Sequence, residues 1–201
     1  MIQLKSDQID SSLHLLGERL ALSDLGPYRL VVCGGAALIA CSLISRQTTK
    51  DIDVLALIDG EGHVVSPDPL PPDLLREVAQ VGRDLDLSPD WLNNGPSRDP
   101  GGLFQVGLPA GVKDRLSRRD FGPALAVYFV GRLDQIHFKV FAAVDQGTGR
   151  HVDDLRDLCP TAAEIEQAAR WAITHDPSEG FRQVLTSMLR KLGYEETASR
   201  L

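Results

Sequence analysis

The feature that most constrains this chain is the stretch VVCGGAALIACSLISRQTTKDIDVLALID, residues 31–59. Tyr28–Cys33 reads as an apolar strand. Gly34-Gly35 turns the chain. Residues 36–43 are small and apolar and suit a helix packed closely on a sheet. Residues 51–58, DIDVLALI, read as a second strand that opens on two acids. Alternation along a strand puts Asp51 and Asp53 on one side of it. Two carboxylates so close repel each other and lose hydration if buried, so something must compensate.

A hard divalent cation is one compensation. Mg²⁺ is commonly held by one or two carboxylates, with waters and substrate phosphates completing its shell. Exposure of the acids to water at the strand's start is the ordinary alternative. The glycine pair has two readings as well. Glycine permits a sharp turn and close approach of a ligand to the backbone, and free amides at the following helix start suit a phosphate. A tight strand–helix turn with no ligand has the same sequence. Neither Gly-Lys-Ser/Thr nor Gly-x-Gly-x-x-Gly is present, so this is neither a P-loop nor a dinucleotide fingerprint. Taken together, strand, Gly-Gly, helix and Asp-x-Asp describe a phosphate cradle beside a metal site, which is what transfer of a nucleotide from an NTP requires.

This block resembles the nucleotidyltransferase superfamily of the DNA polymerase β type. Its small bacterial branch, which includes AbiEii-type toxins and uncharacterised relatives, is the most similar. Gly34, Gly35, Arg46, Thr49, Asp51 and Asp53 carry the resemblance, with Arg46 one residue further from Asp51 than the usual pattern. The resemblance implies a nucleotidyltransferase-like mixed sheet flanked by helices, an α/β (α+β) core. It implies Mg²⁺ or Mn²⁺ on Asp51 and Asp53, and nucleotide contacts from Gly34, Gly35, Arg46 and Thr49. Downstream, DQIHFKVFAAVDQGTGRHVDDLRDLCP offers Lys139 as a phosphate contact and Asp154 as a further catalytic acid; His151 stands where the family more often has an Asp. The implied partners are an NTP, an RNA (tRNA), protein or small-molecule acceptor, and a partner protein from a two-gene toxin–antitoxin system.

One departure favours another role. Active members carry a third carboxylate on a later strand, and neither LAVYFV (residues 125–130) nor FQVGL (residues 104–108), both expected as strands, contains an acid. A binding or interaction protein on the same scaffold, without catalysis, is the alternative.

The rest of the chain supplies the frame. Ile9, Leu13, Leu16 and Leu20 recur at helical spacing. Pro71-Pro72-Asp73 opens a helix carrying Leu74, Leu75, Val78 and Val81. Residues 93–102 read as a loop. Asp134 is placed to cap a helix that runs to about Asp145 and is broken by residues 146–149. Thr161 and Glu164 have capping-box spacing. Asp176-Pro177 separates that helix from another, with Phe181, Val184, Leu185, Met188, Leu189 and Leu192 as its stripe and Gly193 past its end. The expected organisation is a core of residues 1–158 and a C-terminal helical lobe of residues 159–201.

Composition narrows the partners. Net charge is −7, which argues against non-specific coating of DNA or of an anionic membrane. Lys113, Arg115, Arg118 and Arg119, interrupted by Asp114 and Asp120, are expected as a solvated helix face. The cysteines, Cys33, Cys41 and Cys159, are odd in number and lack Cys-x-x-Cys spacing, and the five histidines lack metal-ligand spacing. Trp91 and Trp171 are expected as packing residues. No secretory leader and no bilayer-spanning run is apparent, so the expected location is a reducing cytoplasm.

Overall fold

The computed structural model of the protein describes residues 3–98, 101–147 and 149–201. Thr148 of the expected helix break, and Asp99 and Pro100 of the expected loop, lie outside these. The chain divides into two compact units, Met1–Gly131 and Arg132–Leu201.

The first unit begins with β1 (Leu4–Lys5) and α1 (Ser6–Leu22), whose Ile9, Leu13, Leu16 and Leu20 are all buried as the spacing predicts. Then come β2 (Tyr28–Cys33), α2 (Gly34–Ala40), β3 (Thr48–Thr49) and β4 (Ile52–Ile58). They are followed by β5 (Val64–Val65), α3 (Pro72–Asp84) and β6 (Leu92–Asn93). The unit closes with α4 (Leu103–Val106), β7 (Ser117–Asp120) and β8 (Leu125–Phe129). The fold class is mixed α/β.

The main sheet runs β5-β4-β2-β8-β7, with β6 also on β4. β2 is central. It pairs antiparallel with β4 and parallel with β8. Its apolar run is what a strand hydrogen-bonded on both edges and buried in a core needs. Ala36, Ala37, Leu38, Ile39 and Ala40 of α2 are buried against this sheet; the alanines let the helix axis come close. β1 and β3 form a separate two-stranded ribbon, Leu4 opposite Thr49. Trp91 is 1 % exposed and donates its indole N–H to the Val78 carbonyl, so it packs α3 as expected.

Three expectations are corrected here. Residues 104–108 are not a strand; the turn of helix α4 takes their place, ended by Gly107 at φ +114°. A short apolar run carries too little period to separate the two. α2 ends at Ala40, because Ser42 takes φ +54°. The basic cluster is no helix face: Lys113 and Arg115 sit on a 3₁₀ turn, and Arg118 and Arg119 lie on the exposed strand β7.

The second unit is helical: α5 (Arg132–Asp145), α6 (Gly149–Leu158), α7 (Ala162–His175), α8 (Glu179–Lys191) and α9 (Glu195–Ser199). α5 packs on α6, α7 and α8, and so groups with the C-terminal helices; the division at Gly131 falls earlier than the boundary expected after Leu158. α5 starts at Arg132, so Asp134 is a fully buried first-turn residue and not the cap. Thr161 and Glu164 form the predicted capping box on α7. Gly193 takes φ +86° just past α8. Val184, counted in the α8 stripe, is half exposed. Trp171 lies against His175 one turn along α7, their rings tilted by 50°, with Phe138, Phe141 and His137 around it. No helix among the described residues is long and apolar enough to cross a membrane.

Candidate functional site

Six of the expected residues converge in the first unit. β2 delivers the chain to Gly34, which takes φ +69° and begins α2. β4 lies antiparallel beside β2, and their register sets Asp53 opposite Cys33, the residue before the turn. The Asp53 carboxylate therefore lies over the glycine turn. Its Oδ2 is 2.6 Å from the point where a Cβ on Gly34 would stand. Gly35 is enclosed by the loop that leads into β4: a Cβ there would meet the Thr49 Oγ1 at 2.4 Å and the Arg46 Nη2 at 3.5 Å. Both glycines are thus needed for close approach, and Gly34 also for its left-handed backbone.

Asp51 immediately precedes β4 and is half-buried, like Asp53. Ile52 between them is fully buried and donates its amide to the Trp91 carbonyl at 2.7 Å. Backbone alternation then turns both acids away from the side that Ile52 fills. Thr49 is buried, and its hydroxyl donates to the Asp51 carbonyl at 3.3 Å. That bond ties the loop beneath Gly35 to the start of the acidic strand. The ribbon partner β1 holds the same loop from outside. Leu4 is buried opposite Thr49, and Thr48 Oγ1 donates to the Gln3 side chain at 2.8 Å. This brace was missed in the sequence, since a two-residue strand has no periodicity to read.

Lys139 and Asp154 belong to the second unit. They meet each other, from α5 and α6, with Nζ 2.8 Å from Oδ2. Both are nearly fully buried, at 8 % and 5 % side-chain exposure. Of the six charged or polar residues along α5, four, Asp134, Gln135, His137 and Lys139, are buried.

Two aspartates on one side of a strand, beside a backbone that a Cβ would obstruct, fit a hard cation that takes its remaining ligands from water and phosphate. Among the described residues no group of three or more His, Cys, Asp or Glu is arranged to hold a metal. β8 brings no acid alongside the aspartate pair.

No family model matches the chain, and no curated protein matches it. Among solved structures it is similar to an antigenic nucleotidyltransferase-like protein from Paracoccidioides brasiliensis, at 15 % identity over 98 % of this chain and 94 % of that one, with a TM-score of 0.49. A likeness at this level assigns neither activity nor residues to the present chain.

Proposed function

We propose that the chain is a metal-dependent nucleotidyltransferase, which moves a nucleoside monophosphate from an NTP to a hydroxyl on RNA, protein or a small molecule. The apposition of the Gly34-Gly35 turn with Asp53 is the observation that carries this reading. Triphosphate oxygens need backbone donors at close range, and a carboxylate held against the same backbone would otherwise repel them. Asp51 and Asp53 would hold Mg²⁺ or Mn²⁺, which supplies the charge neutralisation that makes this juxtaposition favourable. Gly34 and Gly35 leave room for the β- and γ-phosphates, and Thr49 and Arg46 shape the floor of the turn. In the reaction the acceptor oxygen bonds to the α-phosphorus, the bond from that phosphorus to the bridging oxygen breaks, pyrophosphate leaves, and the hydroxyl proton passes to a carboxylate or to water. Lys139 and Asp154 pair with each other within the second unit, and a phosphate role for that lysine requires the pair to open. A toxin neutralised by a partner protein, acting in the cytoplasm, is one biological form of this activity.

The Lys139–Asp154 pair favours a second reading. A cation already neutralised by a buried carboxylate is not available to a phosphate until the pair opens. A nucleotide-binding or interaction protein without catalysis meets that observation.

Calorimetric titration with ATP, GTP, CTP and UTP, with and without Mg²⁺, separates them. Metal-dependent binding lost in Asp51→Asn/Asp53→Asn, with labelled nucleotide transferred to an acceptor, supports the transferase. Binding insensitive to Mg²⁺ and no transfer product supports the binding protein.

A further inference from the structure

β7 is the outermost strand of the main sheet among the described residues. Its four residues, Ser117, Arg118, Arg119 and Asp120, are all exposed. Phe121 donates its amide to the Leu125 carbonyl at 2.9 Å, and the register continues with Asp120 opposite Ala126, Arg119 opposite Val127 and Arg118 opposite Tyr128. Hydrogen-bonded and non-hydrogen-bonded pairs alternate in an antiparallel ladder. The backbone of Arg119 therefore bonds to β8, while the N–H and C=O groups of Arg118 and Asp120 face the open edge.

The two arginines are held in place from below. Arg118 lies over the Tyr128 ring at 5.8 Å and pairs with Asp120 at 2.7 Å. Arg119, on the other face, lies over Phe129 at 5.3 Å and donates to the Ala40 carbonyl at the end of α2. Stacking and hydrogen bonding reduce the freedom each guanidinium loses on meeting a partner. Lys113 and Arg115 lie on the 3₁₀ turn just before. Asp114 and Asp120 lie among these four cations and Asp10 is 3.9 Å from Arg119, so the strand edge keeps a small positive balance in a chain of net charge −7.

We propose that β7 is a docking edge for an extended acidic segment of another protein, which adds to the sheet as a further strand. Backbone pairing to Arg118 and Asp120 gives affinity, and acids opposite Arg118 and Arg119 give selectivity, one on each face. The edge offers donors and acceptors in alternation at strand spacing, which suits a peptide; the phosphodiester groups of a nucleic acid offer acceptors alone. A second copy fits less well. The register that sets Arg118 against Asp120 of the second copy also sets the two Arg119 side chains opposite each other, and both copies carry −7. The inference is independent of the nucleotide site.

The test uses the full chain and a short capped, fluorescent peptide with two adjacent glutamates flanked by valine and threonine, read by anisotropy. Saturable binding is expected, weakened about tenfold by Arg118→Glu. Asp120→Pro gives the decisive sign. It removes an acid and frees Arg118, so attraction by charge alone would tighten binding; strand addition loses an edge N–H and weakens it. The same peptide N-methylated at every residue keeps its charge and has no N–H left on either edge to pair as a strand, and it reports even if the proline variant does not fold. Equal binding of the methylated peptide, tighter binding to Asp120→Pro, or no binding of either peptide overturns the proposal. So does displacement by single-stranded RNA without loss on N-methylation, or a dimer in sedimentation that Arg118→Glu dissolves.

Discussion

Asp53 and Gly34 are fitted to one another: the carboxylate Oδ2 lies 2.6 Å from where a Gly34 Cβ would be, and Gly34 holds φ +69°. No other residue type satisfies both conditions, because an L side chain at this φ is strained and its first carbon would strike the carboxylate. The pair gives a turn whose backbone is bare on the side that the acid faces.

Gly34→Ala should cost about 1–2 kcal/mol for the left-handed backbone alone, with a further loss from displacing Asp53. Gly35→Ala acts differently. Its Cβ would meet the Thr49 hydroxyl at 2.4 Å, so Thr49→Ala should partly rescue it and do nothing for Gly34→Ala. Urea denaturation of the four variants checks this; equal rescue of both glycine variants would refute the separate contacts.

Leu4→Ala should loosen the β1–β3 ribbon, since Leu4 is buried opposite Thr49. Truncating a buried Leu costs roughly 2–5 kcal/mol when the site cannot collapse. The local signature is faster amide exchange at Thr48 and Thr49 than across β2. Uniform acceleration would mean that the ribbon braces the whole unit and not this loop.

The buried pair of Lys139 and Asp154 should respond asymmetrically. Lys139→Ala strands the Asp154 carboxylate away from its ammonium and should cost about 3–5 kcal/mol. Lys139→Met with Asp154→Leu should cost less than either single change, because neither charge is then left buried. Chemical denaturation of the three variants measures this; an additive double variant would show that the two residues act apart.

Acid should reveal the link between Arg132 and Glu164. Arg132 holds the Glu164 carboxyl down to about 2, from an ordinary 4.5, with help from Thr161. The contacts are Nη1 to Oε1 at 2.6 Å and the Thr161 amide to Oε2 at 2.8 Å. A folded-state pKa below the unfolded one contributes stability that is present above the unfolded value and lost as pH falls through the folded value. The loss should therefore run from about pH 4.5 down to about 2 and amount to on the order of 1–2 kcal/mol once solvent screening is allowed for. Thermal midpoints of wild type and Arg132→Gln across that window check it. The variant should lose most of the slope; parallel curves would assign it to other carboxylates.

Much of this was legible in one dimension. The helical spacing of Ile9, Leu13, Leu16 and Leu20 located α1. Thr161 and Glu164 located the start of α7, because a capping box is closed within one turn. The apolar runs before Gly34 and after Asp51 located β2 and β4. FQVGL misled, since a few apolar residues suit a strand or a helical turn equally. The arginines of β7 looked like a helix face because nothing local says that the chain there pairs with β8.

The sequence alone determined where α1, β2, β4 and α7 lie, and it set Gly34, Gly35, Asp51 and Asp53 close together along the chain. Those properties follow from sterics and periodicity within a few residues. Tertiary structure decided that Asp53 lies on Gly34 and not beyond it, that Lys139 meets Asp154, that Leu4 braces Thr49, and that β7 is left at an edge. Each of these depends on the register or packing of segments far apart in the chain, and such registers are set by burial of whole faces, which no short stretch encodes by itself.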